Sequence, residues 1–223
     1  MDLLQAIKNR HSVRAYTNKL IEGKVKEDLL QFIDQCNQES GLHIQLILDE
    51  PNAFNSLMAH YGKFSGVKNY IALVGKKEAN LAKKCGYYGQ KIVLFAQTLG
   101  LNTCWVAMTY SKQKAHFKLN QDEKLCIVIA IGYGITSGTK HKSKPKEKIM
   151  KTKTAPPKWF INGIDAALLA PTALNQQKFI ISLNDDNTVS IKAKMGPYSK
   201  IDLGIVKYHF EIGAGLNNFK WQD

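Results

Sequence analysis

Residues 89–102 read GQKIVLFAQTLGLN, and residues 204–217 read GIVKYHFEIGAGLN. Both fit G-x10-G-L-N with Phe95 and Phe210 in register, and both run at helical spacing into a glycine stop. A coincidence of helical composition could imitate part of this match, but the shared Gly-Leu-Asn after each long helix points to an internal repeat. Outward from these runs, LLQFIDQCN…HIQLILD (29–49) and FINGIDAALLAPTALNQQKFIISLN (160–184) are each a helix followed by a strand, with Ile-Asp inside the helix. The chain therefore reads as two related halves, 1–150 and 151–223, the second abbreviated and the two packed as one unit.

The rest of the pattern fills that frame. Apolar spacing predicts a helix over 24–37, strands over 43–49 and 69–75, and a long helix over 78–100. LNTCWVA follows directly, and LCIVIAIGYG (125–134) reads as a buried strand. A basic, turn-rich link, TSGTKHKSKPKEK (136–148), leads to a helix over 158–170, a strand pair in KFIISLN and TVSIKAK, and a closing helix around 202–214. Helices mixed with unevenly alternating strands predict an α+β fold with a central, mainly antiparallel sheet flanked by helices.

Composition bounds the function. With 44% hydrophobic and 22% charged residues the 223-residue chain is globular. Lys and Arg number 31 against 18 Asp and Glu, a net charge of +13 that favours anionic ligands. The lysines are spread along the sequence and no nucleic-acid motif is visible, so a specific nucleic-acid partner is not expected. Cys36, Cys85, Cys104 and Cys126 form no C-x-x-C pair and have no His at ligand spacing, which suggests reduced, buried thiols and no metal. MDLLQAIKNR lacks an export pattern and the longest apolar runs are too short to span a bilayer, so a cytoplasmic protein without a membrane partner is expected.

RHSVRAY (10–16) carries the first candidate site. In an extended stretch side chains alternate, so Arg10, Ser12 and Arg14 share one face; on a helix Arg10 and Arg14 are still neighbours. Two guanidinium groups and a hydroxyl suit an anion such as phosphate. Taken alone, these residues are more commonly a solvated basic turn.

Together the pieces resemble a family. RHSVRAY resembles the R-x-S-x-R signature that opens the FMN-dependent nitroreductase fold. IVLFAQTLGLNTCWVA (92–107) resembles that family's central helix and following strand and loop, and LCIVIAIGYG its next strand. KHKSKPKEK resembles the basic segment after it, and APTALNQQKF (170–179) resembles A-P-S-x-x-N-x-Q-P-W. The order departs from an ordinary member, in which two identical chains complete each other's sites. Here the first half holds the Arg/Ser cluster and the second half holds the Ala-Pro-Thr-x-x-Asn loop. The arrangement is similar to the fused, pseudo-dimer branch of the family, of thermophile type, and implies one flavin site in a monomeric chain.

The resemblance implies roles. Arg10, Ser12 and Arg14 would bind the FMN phosphate or pyrimidine edge, with His11 beside them as a structural residue rather than a proton donor. Lys142 and Lys144 would add charge at the phosphate, although a solvated loop explains them as well. Pro171, Thr172, Ala173, Leu174 and Asn175 would cover one flavin face. Trp105, Val106, Ala107 and Met108 would form the loop beside the ring, where backbone N–H groups face the flavin; Trp105 would serve equally as core. Gln177-Lys178 stands where the family has Gln-Pro-Trp, so that contact is not carried over. The implied activity is hydride transfer from NADH or NADPH through FMN to a small electron-poor acceptor of the nitroaromatic or quinone type, with no catalytic side chain required. The alternative is a non-enzymatic flavin carrier or redox sensor.

Overall fold

The computed structural model describes residues 1–140 and 142–222. His141, inside the basic link, and Asp223, the last residue of the second half, lie outside the described residues. In chain order the elements are α1 (Leu3–Asn9), α2 (Gly23–Ser40), β1 (Gln45–Ile47), α3 (Leu57–Tyr61), β2 (Tyr70–Lys76), α4 (Leu81–Thr98), β3 (Asn102–Val106) and β4 (Glu123–Gly132). The second half adds β5 (Met150–Lys151), α5 (Lys158–Leu168), β6 (Phe179–Leu183), β7 (Thr188–Ala193), α6 (Ser199–Ala214) and β8 (Lys220–Trp221).

The α+β organisation with an antiparallel sheet stands. That sheet has the order β1-β2-β4-β3 and every neighbouring pair is antiparallel. The strands of the second half do not join it. They form a sheet of their own, β5-β6-β7-β8, with an antiparallel β6–β7 hairpin between two parallel edge strands. The helices keep the sheets apart: α4 packs on β2, β3 and β4 and on α6, while α6 packs on α5 and β7.

Close packing of α4 on α6 depends on two glycines. A Cβ on Gly86 would sit 2.0 Å from the Ile201 carbonyl oxygen, and one on Gly204 would sit 2.1 Å from that of Lys83. The two backbones touch where neither residue has a side chain. Both helices also stop just before the glycines their sequences point to, α4 at Thr98 ahead of Gly100 and α6 at Ala214 ahead of Gly215, whose φ are 81° and 75°.

One apolar core runs through this helix layer. It joins Ile71, Leu73 and Ile129 of the first sheet, Ile92 and Val93 of α4, Phe210 of α6, and Phe179, Ile181 and Val189 of the second sheet. Phe160 and Phe210 are fully buried, each contributing about 1.5 to 3 kcal/mol. Their rings, 5.6 Å apart, tie α5 to α6. No helix among the described residues is long and apolar enough to cross a membrane.

α1 starts at Asp2, whose carboxylate accepts the Gln5 N–H at 2.8 Å, and it stops at Arg10, which turns extended with ψ of 119°. From there the RHSVRAY stretch is stitched into the fold. The Val13 N–H donates to the Thr103 carbonyl at 3.1 Å, and the Ser65 N–H donates to the Arg14 carbonyl at 3.0 Å. Val13 and Tyr16 are buried, and the Tyr16 hydroxyl donates to the Val13 carbonyl at 2.7 Å.

Candidate active site

Arg10 turns extended and Ser12 bridges to Thr103, which lays the stretch along one cleft lined by Arg10, His11, Ser12 and Arg14 together with Val13 and Ala15. Opposite them lie Pro171, Thr172, Leu174 and Asn175 from the segment after α5. The cleft, about 540 Å³, thus takes one wall from each half of the chain and falls within the usual range for small-molecule sites. A narrower recess of about 120 Å³ continues inward past Ser12 and Arg14 to Cys104, Trp105 and Ala107, and is closed by Tyr198, Ile201 and Asp202 of the α6 start.

Arg10 is the most informative member. It is 3% exposed, its Nε has no hydrogen-bond partner, and no carboxylate among the described residues pairs with it. Burial pulls its guanidinium down to about 10. A buried cation without a counter-charge is costly, and an anion in the cleft relieves that cost. Arg14 is exposed and lies over the Phe64 ring at 5.9 Å. Burial also raises the Cys104 thiol, against the opposing influence of Arg14, Ser12 and Arg10, so Cys104 lines the recess as a neutral group.

The 171–177 segment is held in an uncommon backbone. Leu174, Asn175 and Gln177 have φ of 52°, 52° and 43°, and Leu174 is 92% exposed. Left-handed non-glycine residues of this kind cost about 1 to 3 kcal/mol each unless their surroundings impose them. Here the surroundings do. The buried Gln177 side chain donates to the Lys142 carbonyl at 2.9 Å and to Asn175 Oδ1 at 2.8 Å, and its Oε1 accepts the Lys144 N–H at 2.8 Å. Asp202 accepts the Ala173 N–H at 3.0 Å and the Gln176 amide at 2.7 Å. Burial raises the Asp202 carboxyl, and the Gln176 and Ala173 donors oppose that rise.

On the recess side, Trp105 is anchored by its indole. Its Nε1–H donates to Gln90 Oε1 at 3.1 Å, and Gln90 Nε2 lies 2.8 Å from His209 Nε2. Trp105 and Val106 belong to β3 rather than to a loop, since their backbones pair with Ile129 and Val128.

The structure thus brings Arg10, His11, Ser12, Arg14, Trp105, Ala107, Pro171, Thr172, Ala173, Leu174 and Asn175 to the cleft and its recess. Four expected residues line neither. Val106 points into the core, 2% exposed, and Met108 is 66% exposed past the end of β3. Lys142 contributes its carbonyl to Asn175 and Gln177. Lys144 Nζ donates to the Gln176 carbonyl at 2.6 Å, so its ammonium braces the loop. The lysine at the cleft is instead Lys63, carried there by the pairing of Ser65 with Arg14. Asp202 and Tyr198 were also not anticipated; the only sequence signal for them is their place at the start of the repeated helix.

A family model described as "Putative TM nitroreductase" matches residues 2–214. Among solved structures, a nitroreductase from Thermotoga maritima superposes with a TM-score of 0.68 at 24% identity, covering 96% of this chain and 83% of that one. One from Desulfovibrio desulfuricans, described as in complex with FMN, gives 0.52 at 17% identity over 70% of this chain and 98% of that one. A structure described as an NADH oxidase from Clostridium acetobutylicum gives 0.50 at 22% identity over 65% and 96%. At these identities the structural likeness establishes the fold. No curated protein matches the chain.

Proposed function

The chain belongs to the nitroreductase family, as an oxidoreductase of its "Putative TM nitroreductase" group, and from that premise we propose that the cleft between its halves binds FMN and serves hydride transfer from NADH or NADPH to a small electron-poor acceptor. The observation that carries the reading is Arg10, a buried guanidinium with an unpartnered Nε lining a cleft of about 540 Å³. The residues present fit the group. An anionic phosphate suits Arg10 and Arg14, Ser12 offers a hydroxyl between them, and Lys63 adds charge at the rim. The recess beyond, walled by Trp105, Ala107, Pro171 and Ile201, suits a flat aromatic ring. The Desulfovibrio relative described as an FMN complex is consistent with this choice of cofactor.

When bound, FMN supplies the two-electron chemistry between nicotinamide and acceptor. The chain's own residues position and shield. The Arg/Ser stretch, itself bonded to Thr103 of β3 and to Ser65, would hold the anionic end. The 171–177 loop, braced by Asp202 and Gln177, presents Thr172 and the exposed Leu174 over the cleft and keeps water from part of it. The backbone N–H of Ala107, at the recess just past the end of β3, is suited to stabilise negative charge on the ring. No acid or base side chain is required, since solvent reaches the cleft.

Because each wall comes from a different half, the reading includes one site per chain and a polypeptide that acts as its own pseudo-dimer, over 1–150 and 151–223. The test is to release and count flavin from the purified chain, then follow NADH and NADPH consumption with a quinone or nitroaromatic. One FMN per chain with acceptor-dependent turnover supports the proposal. One FMN without turnover indicates a carrier or sensor, and no FMN even in excess overturns the reading.

A further inference from the structure

The lysines that look scattered in sequence are gathered by the register of the second sheet. Ile180 pairs with Lys192, Ser182 with Ser190 and with Lys151, and Thr188 with Lys220. Strand alternation then puts Ile180 and Ser182 of β6 on the same face as Thr188, Ser190 and Lys192 of β7, and Lys178 and Lys194, just outside the two strands, continue the ladder with a Lys194 N–H to Lys178 carbonyl bond of 2.8 Å. The opposite face carries Phe179, Ile181 and Val189, all buried in the core. On the outward face Lys151, Lys178, Lys192, Lys194 and Lys220 are exposed. Among the described residues none of them is in an ion pair. Asn184 and Gln222 extend the face with neutral polar groups, hydrogen-bonded to each other at 2.7 Å. Among the described residues no Asp or Glu stands at an outward strand position; Asp185 and the exposed Asp186 lie in the β6–β7 turn, Asp185 paired with Lys153 at 3.0 Å.

We propose that this open lysine face of the second sheet binds double-stranded nucleic acid through its phosphates, without regard to sequence. Five like charges on one face repel one another, and a polyanion converts that repulsion into attraction with release of its counterions. The spacing suits a phosphodiester backbone: alternate residues on a strand are roughly 7 Å apart and neighbouring strands about 4.8 Å apart. Ser182 and Ser190 between the lysines add hydroxyl donors of the kind that contact phosphate oxygens, while the Thr188 hydroxyl donates to the Asp185 carbonyl at 2.9 Å. The face lacks what other polyanionic partners exploit. It has no aromatic ring on which single-stranded bases could stack. Its one apolar side chain at an outward strand position among the described residues, Ile180, is half-buried, and the exposed Met195 beside Lys194 is a single residue rather than the apolar face a lipid surface needs. The overall charge of +13 assists approach from any direction.

The proposal is independent of the flavin reading and is tested on the whole chain. A fluorescent duplex of mixed sequence is titrated by anisotropy between 50 and 200 mM salt. In parallel, sedimentation is measured with vesicles containing phosphatidylserine. Two triple variants of equal net charge are compared, each checked for folding by circular dichroism. One carries Lys178→Gln, Lys192→Gln and Lys194→Gln; the other carries Lys26→Gln, Lys112→Gln and Lys114→Gln, at exposed lysines outside the second sheet. The expected result is that the sheet variant binds the duplex at least about 10-fold more weakly at low salt. Its slope of log affinity against log salt should flatten by about 2.7, while the second variant stays close to the native chain. Equal loss in both variants would show diffuse charge rather than a site, and overturns the proposal. So does binding to vesicles with none to the duplex, or no duplex binding at 50 mM salt.

Discussion

Gln90 Nε2 lies 2.8 Å from His209 Nε2, joining α4 to α6 through two side chains with no solvent exposure. The contact has a direction. Gln90 Oε1 accepts from the Trp105 indole at 3.1 Å, so its amide nitrogen donates to His209 Nε2. His209 Nδ1, 3.0 Å from the Ala166 carbonyl, then carries the proton and donates. A recess wall in the first half is in this way tied to α5 and α6 of the second.

Replacing Gln90 by Leu leaves the Trp105 indole and His209 Nε2 without that partner in the interior. A polar group that loses its partner on burial costs about 1 to 3 kcal/mol, so with two such groups Gln90→Leu should lose about 2 to 6 kcal/mol in urea denaturation. Its tryptophan emission should shift as Trp105 gains freedom. A loss below about 0.5 kcal/mol would mean the chain of bonds does not hold the halves together.

Gly204→Ala tests the helix contact directly. The added methyl would meet the Lys83 carbonyl at 2.1 Å, a backbone atom that can yield only by moving α4. Overpacking of this kind costs about 1 to 3 kcal/mol and occasionally more, and the upper end is expected here. Thermal unfolding reads it. An unchanged midpoint would place the two helices further apart than described.

Much of this was legible in the sequence, for reasons that differ by element. Residues 69–75 and the strand Tyr70–Lys76 agree because a continuous apolar run bounded by a glycine leaves few alternatives. Alternation puts Arg10, Ser12 and Arg14 on one face, but His11, Val13 and Ala15 line the same cleft, so their shared site rests on how the stretch lies against the fold. Lys63 was not legible, because its place at the cleft depends on a bridge between Ala15 and Ser65, far apart in sequence. Lys144 is assigned to the phosphate only through the resemblance of the basic segment, which does not reveal that nearby carbonyls capture its ammonium. The division of strands between two sheets was hidden for a similar reason, since it depends on helices packing between them.

Asp202 supplies a pH dependence whose sign is fixed. Burial holds its carboxyl above the ordinary value of 3.8 in the folded protein. A raised acid favours the protonated native state, so its contribution is largest below the unfolded value and is lost as pH rises through the folded one. Asp202→Asn removes that dependence. The stability difference, native minus variant, should therefore decline as pH rises from below 3.8. Chemical denaturation across that range measures it, and a difference that grows with pH would contradict the burial of this carboxyl.

Arg10→Met separates a structural arginine from one held ready for an anion. If Arg10 served the fold, its loss would break pairings, but among the described residues Nε has no partner and no carboxylate pairs with it. Methionine fills similar space without a charge to desolvate, and replacing an uncompensated buried ion by an apolar group is neutral or stabilising. The variant should therefore unfold no earlier than the native chain. Its affinity for FMN should fall by about 10- to 100-fold, the equivalent of one charged hydrogen bond of about 1.5 to 3 kcal/mol. Lys144→Gln, whose ammonium braces carbonyls outside the cleft, should leave FMN affinity within about twofold. Fluorescence titration of added FMN compares the three proteins. If Lys144→Gln weakens FMN as much as Arg10→Met does, the phosphate lies on the basic link; if Arg10→Met unfolds while a folded Arg10→Lys keeps full affinity, Arg10 belongs to the core.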